Sequence, residues 1–301
     1  MTSARSCNVK LLCEAGNIVG ESIVWDDRSH RLVWIDILGQ RIYRFAPASG
    51  KLESWRPPDL PTSIGLCKNG GAIVGLLRDI QLWDFNSSWV ALATPEPHML
   101  NNRLNEGCVA PDGSFWVGTM CNNFLPDGTP VATSARTGAY YRVSASGLVS
   151  SLLPNTHGIP NTMVWTDDGR FLTADTALNE IRSYRLTSLG ELTDPQQFAE
   201  SFPRGLPDGS CLDEDGFLWN CRVLGGSCVV RFSPDGSVDC VIDLPCSWPT
   251  SCTFGGPDLD VLYVTSARFT MDAQHLAANP HEGGIFSLAP GVRGRRSYRY
   301  G

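Results

Sequence analysis

The sequence predicts an all-β chain closed into a six-bladed β-propeller, and three observations carry that prediction. Six segments share one register, in which Glu21, Thr62, Asn105, Asn161, Asp208 and Thr250 each open a short β-rich run. Four residues after each opener stands a large apolar residue: Trp25, Leu66, Val109, Trp165, Leu212 and Phe254. The openers recur every 41 to 56 residues, which is the size of a four-stranded propeller blade.

Each unit is built the same way. Gly70, Gly113, Gly169 and Gly216 follow their openers by eight residues and mark a turn, since glycine tolerates the backbone a tight hairpin requires. A second β-rich run comes next, as in 31–35, 115–117 and 261–265. Further alternating runs, such as 180–185 and 228–232, supply the outer strands. The last unit offers strands near 252–254, 261–265 and 284–288, one short of four, and the spare strand at 8–13 completes it. Closure of that kind removes exposed strand edges.

A repeat whose units cover one another's apolar faces argues for a single domain over residues 1–301. The interval from Asn105 to Asn161 is too long for a blade, and its surplus lies near 121–130. That segment is either a lid over one channel mouth or a plain surface excursion. Residues 292–301, with Arg293, Arg295, Arg296 and Arg299, read as a flexible, solvated basic tail.

Composition narrows the function classes. A net charge of −7 gives no support to nucleic-acid binding. No run approaches the length of a membrane helix, and no apolar signal segment opens the chain. The 11 cysteines contain no Cys-x-x-Cys pair. A reduced, cytoplasmic setting is expected, with the protein a monomer or small homo-oligomer.

The chemistry lies in the openers. First strands line a propeller's channel, so equivalent positions gather near its axis. Glu21, Asn161 and Asp208 bring two carboxylates and an amide oxygen, a donor set suited to a hard divalent cation. The bland alternative is a wet channel lined by polar groups. Arg103 and Asn105, two residues apart on an extended segment, share a face and suit the oxygens of a small polar ligand; an ion-paired arginine at a blade edge is the alternative. Glu106 points the other way and supports the shell. A nucleophile elbow, a phosphate loop and a dinucleotide fingerprint are all missing.

Gly20-Glu-Ser-Ile-Val-Trp25, Arg103-Leu-Asn-Glu-Gly107, Phe115-Trp-Val-Gly-Thr-Met120, Pro207-Asp-Gly209, Tyr263-Val-Thr-Ser-Ala-Arg268 and Gly283-Gly-Ile-Phe286 resemble the regucalcin/gluconolactonase family, in order along nearly the whole chain. The resemblance implies a six-bladed propeller holding one divalent metal, and in many members the hydrolysis of sugar lactones. Carried over by motif, the metal ligands are Glu21, Asn161 and Asp208, and the substrate pair is Arg103 and Asn105, with Glu106 where the family usually has Asp. Asn122 and Asn123 stand where some relatives have a substrate-contacting carboxylate.

The implied reaction is metal-dependent hydrolysis of an aldonolactone, such as glucono-, xylono- or arabinonolactone, to its aldonic acid. The cation is Ca²⁺, Zn²⁺, Mn²⁺, Mg²⁺ or Fe²⁺, Asp208 is the general base, and Arg103 and Asn105 orient the sugar. The alternatives are a non-catalytic calcium-binding regulatory propeller and a metal-dependent esterase of the same fold.

Overall fold

The computed structural model describes residues 3–4, 7–132 and 134–301. Its strands form six sheets, each a blade, in the expected six-bladed propeller. The innermost strands are Gly20–Asp26, Ser63–Leu66, Asn102–Val109, Pro160–Trp165, Leu206–Leu212 and Pro249–Gly255. Blades 1 to 6 are numbered in that order. Five openers lie on these strands, and Thr62 immediately precedes its own. The openers therefore ring one mouth of the channel, called upper here. The hairpin turns that follow ring the lower mouth, with Gly169 and Gly216 at φ +79° and +82°.

The apolar residue four positions after the opener packs against the second strand of the preceding blade. Trp25 stacks on Tyr263 with centroids 5.9 Å apart, Trp165 meets Trp116 edge-on at 5.1 Å, and Phe254 meets Trp219 edge-on at 5.8 Å. Leu66, Val109 and Leu212 share clusters with Ile35, Ile73 and Leu172 in the same relation. Such aromatic pairs add roughly 0.5–1.5 kcal/mol each beyond the area they bury. The repeat in the sequence is thus the blade-to-blade interface itself.

Closure follows the expected route. Lys10–Cys13 pairs antiparallel with Ile285–Leu288 and gives blade 6 its outer strand. Ser3–Ala4, unforeseen, adds a parallel fifth strand to blade 5 beside Val238–Asp243. No helix among the described residues is long and apolar enough to cross a membrane. Cys211 and Cys252 are free thiols, as are Cys7, Cys13, Cys67 and Cys121.

The C-terminal segment differs from expectation. Residues 293–301 are a strap laid across the lower mouth, bonded to a turn or strand end of every blade. Gly294 N–H donates to Leu259 O at 2.7 Å, and Arg293 O accepts from Glu214 N–H at 2.8 Å. Arg295 pairs with Asp167 at 2.5 Å, and Arg299 with Asp26 and Asp27 at 2.5 and 2.7 Å. Tyr300, 5% exposed, donates its N–H to Leu66 O and its hydroxyl to Ser144 O, while Gly301 N–H reaches Gly113 O. Three of the four charges that suggested a solvated tail, Arg295, Arg296 and Arg299, are matched by turn aspartates far away in sequence.

Candidate metal centre and active site

The inner strands are not regular where the openers sit. Pairing with the second strand shifts register between Glu21 and Val24, Leu104 and Gly107, Asn161 and Met163, Pro207 and Ser210, and Pro249 and Cys252. These are β-bulges, which insert a residue, bend the strand and re-aim its side chains. Ser22 and Thr162, directly after Glu21 and Asn161, take φ values of +50° and +52°, a conformation β-branched threonine rarely adopts. Thr162 is held there by hydroxyl bonds to Asp208 O at 2.5 Å and Ser210 Oγ at 2.9 Å.

The result is a crowded acidic centre. The side chains of Glu21, from blade 1, and Asp208, from blade 5, lie within hydrogen-bond reach of each other, and Glu106 adds a third negative field. Burial, and then the neighbouring carboxylates, push the Glu21 and Asp208 carboxyls well above the ordinary range. Burial also raises Glu106, to about 7. The Arg103 guanidinium partly opposes this at Glu21, while its own pKa falls to about 10 through burial.

Asn161, 5% exposed, donates Nδ2 to Thr176 Oγ1 at 2.8 Å, which leaves its carbonyl oxygen as the group open to a ligand. Thr176 passes its own proton to Pro207 O at 2.7 Å, next to Asp208. On the far side, Asn220 Nδ2 donates to Asp208 O at 3.1 Å, and Arg222 Nη1 holds Asn220 Oδ1 at 3.1 Å. Arg222 is 1% exposed, so a buried cation backs the acidic centre.

Arg103 and Asn105 are bonded to each other, Nη1 to Oδ1 at 2.8 Å, and Asn105 Nδ2 donates to Pro160 O at 2.9 Å. Arg103 also donates Nη1 to Leu104 O and both Nε and Nη2 to Asn123 Oδ1. That leaves one Nη2 proton uncommitted. Its guanidinium lies 5.2 Å from the Phe124 ring centroid. Arg103 therefore pins the 121–130 segment at the upper mouth. Glu106 stands at a boundary: besides acting on Glu21 and Asp208, it lines an axial cavity of about 150 Å³ between the acidic centre and the strap.

Thr162, Thr176, Asn220, Arg222 and Asn123 escape sequence reasoning. Thr162 directly follows an opener but carries no signal that sets it apart from its neighbours, and the others lie on other strands and loops. Only the Asn122-Asn123 departure gave any hint.

Among the described residues, no three His, Cys, Asp or Glu side chains are placed to hold a metal together. A set built on two carboxylates and an amide falls outside that pattern by composition.

The family model described as the SMP-30/Gluconolactonase/LRE-like region matches residues 19–268. The 6-deoxy-6-sulfogluconolactonase of Pseudomonas putida is 32% identical over 291 residues, covering 95% of this chain and 96% of that protein. The L-arabinolactonase of Azospirillum brasilense is 32% identical over 280 residues, covering 92% and 90%. Among solved structures, a calcium-binding protein from Agrobacterium tumefaciens, regucalcin, superposes with a TM-score of 0.91 at 26% identity, covering 100% of both chains.

Proposed function

The chain belongs to the SMP-30/gluconolactonase/LRE-like family, and we propose that it hydrolyses a sugar lactone to the aldonic acid with the help of one divalent cation. The observation that carries this reading is the pair Glu21 and Asp208, a half-buried and a buried carboxylate brought together at the mouth of the channel. Such a pair is unfavourable by itself, and a cation offsets the repulsion. The residues fit that role: Asn161 offers its side-chain carbonyl oxygen because its Nδ2 donates to Thr176 Oγ1, and hard oxygen donors match hard cations. A bound divalent cation would polarise the lactone carbonyl and ease deprotonation of water.

The chain's own groups do the rest. Asp208 accepts the proton of the attacking water and returns it to the ring oxygen as the ester bond breaks. The free Nη2 proton of Arg103 binds a sugar hydroxyl, with Asn105 held rigid beside it. Asn123 and Phe124, fixed by Arg103, form the wall against which the ring is oriented. Lactonases among the relatives support a sugar-lactone substrate.

The test is hydrolysis of pentono- and hexonolactones by the wild type and Asp208→Ala. The wild type should exceed spontaneous hydrolysis and the variant should fall to background. A variant that keeps its cation and turns over at the wild-type rate removes Asp208 as the base. The relative described as calcium-binding favours a second reading, a propeller that binds calcium without turnover; tight binding with no acceleration of any lactone would select it.

A further inference from the structure

Below the acidic centre the channel holds sulfur that lactone chemistry does not use. Cys211, on the inner strand of blade 5, and Cys252, on that of blade 6, bring their Sγ atoms to 3.6 Å. Both are free thiols, and Cys252 is 3% exposed. Cys252 Sγ lies 3.5 Å from Trp219 O, so it sits against the neighbouring blade. The separation is van der Waals contact, and a disulfide brings the two sulfurs to about 2.05 Å.

Both thiols line the 150 Å³ axial cavity, together with Ser210, Ser251 and Glu106. The strap residues 295–298 wall the cavity on its lower side, and Tyr298 there is 45% exposed. The cavity has room for a molecule the size of a few waters beside the two sulfurs.

We propose that Cys211 and Cys252 form an oxidisable dithiol that reacts with a small hydroperoxide in the axial cavity and closes to a disulfide stapling blade 5 to blade 6. Hydrogen bonds from Cys211 and then from Cys221 hold the Cys252 thiol down at about 5, whereas burial keeps Cys211 protonated. Cys252 is thus the attacking thiolate and Cys211 the resolving thiol. The Cys252 sulfur takes the terminal oxygen as the O–O bond breaks, leaving a sulfenic acid, and the departing oxygen leaves protonated as water or an alcohol. The Cys211 sulfur then attacks the sulfenic sulfur, the S–S bond forms, the S–O bond breaks, and hydroxide leaves with the Cys211 proton as water. Two thiols lose two electrons to one hydroperoxide.

The staple would lie on the strand that carries Asp208. The proposal does not rest on the lactonase reading, and its test reads sulfur. The full-length protein is treated with an equimolar amount of hydrogen peroxide and digested without reduction. A Cys211–Cys252 linked peptide should dominate, with those two thiols lost. In Cys211→Ser, Cys252 should stop at the sulfenic acid and take a dimedone label. Oxidation confined to half-buried surface thiols such as Cys121, with no Cys211–Cys252 peptide in the wild type, overturns the proposal whether or not the variant folds.

Discussion

Asn161 Nδ2 donates to Thr176 Oγ1 at 2.8 Å, and that hydroxyl donates onward to Pro207 O at 2.7 Å. One side chain thus fixes which way the Asn161 amide faces and ties it to the strand carrying Asp208. Thr176 itself is placed by the short 3-10 turn Thr176–Leu178, capped by Asp175.

Thr176→Val keeps the shape and removes the hydroxyl. Losing a group that orients a ligand typically weakens binding about 10- to 100-fold. Calorimetric titration of the chelator-stripped variant with a divalent cation should show that loss with little change in Tm. Unchanged affinity would dissociate Thr176 from the centre.

Arg103 directs two of its nitrogens at Asn123. Asn123→Ala releases the 121–130 segment while leaving the acidic centre intact. A fall in kcat/KM of about tenfold is expected, carried mostly by KM, because orientation rather than proton transfer is lost. A drop confined to kcat would argue for a direct chemical role of Asn123.

How far the sequence could be read depended on whether the relevant partner lay at a fixed offset. The blades were legible because Trp25, Trp165 and Phe254 recur at the interface between neighbours, and the same register located Glu21, Asn161 and Asp208. Thr176, Asn220 and Arg222 were not legible, because second strands and the turns that follow them present polar residues for many reasons. The C-terminal arginines were misjudged for a related reason: Asp26, Asp27 and Asp167 look like turn formers until the strap lies across them.

The strap is a stability element. Ending the chain at Val292 removes the partly buried Arg299 pairs and the buried Tyr300 ring. About 3 kcal/mol should be lost, mostly from burial since exposed ion pairs contribute little. For a chain of this size that is about 5–10 °C in Tm. An unchanged Tm would mean that the strap merely rests on the lower face.

Stability should also report the acidic centre. Glu106 rises from its ordinary 4.5 to about 7 through burial, and Glu21 and Asp208 move the same way. The folded state then holds protons at these carboxyls that the unfolded chain has released, so their contribution to stability is full below about pH 4.5 and falls as pH rises toward 7. For Glu106 the loss is at most about 3 kcal/mol. Denaturant melts of chelator-stripped protein should show this decline, and a saturating divalent cation should restore more stability at pH 8 than at pH 5. A cation effect independent of pH would contradict the assignment of these carboxylates as its ligands.

The most direct measurement is proton release from a panel of aldonolactones by chelator-stripped protein, with single divalent cations added back. The stripped protein should show background rates, and restoring a cation should give turnover of at least one pentono- or hexonolactone, absent in Asp208→Ala. Full turnover by the stripped protein, or none with any cation, would contradict the proposed cation-dependent hydrolysis.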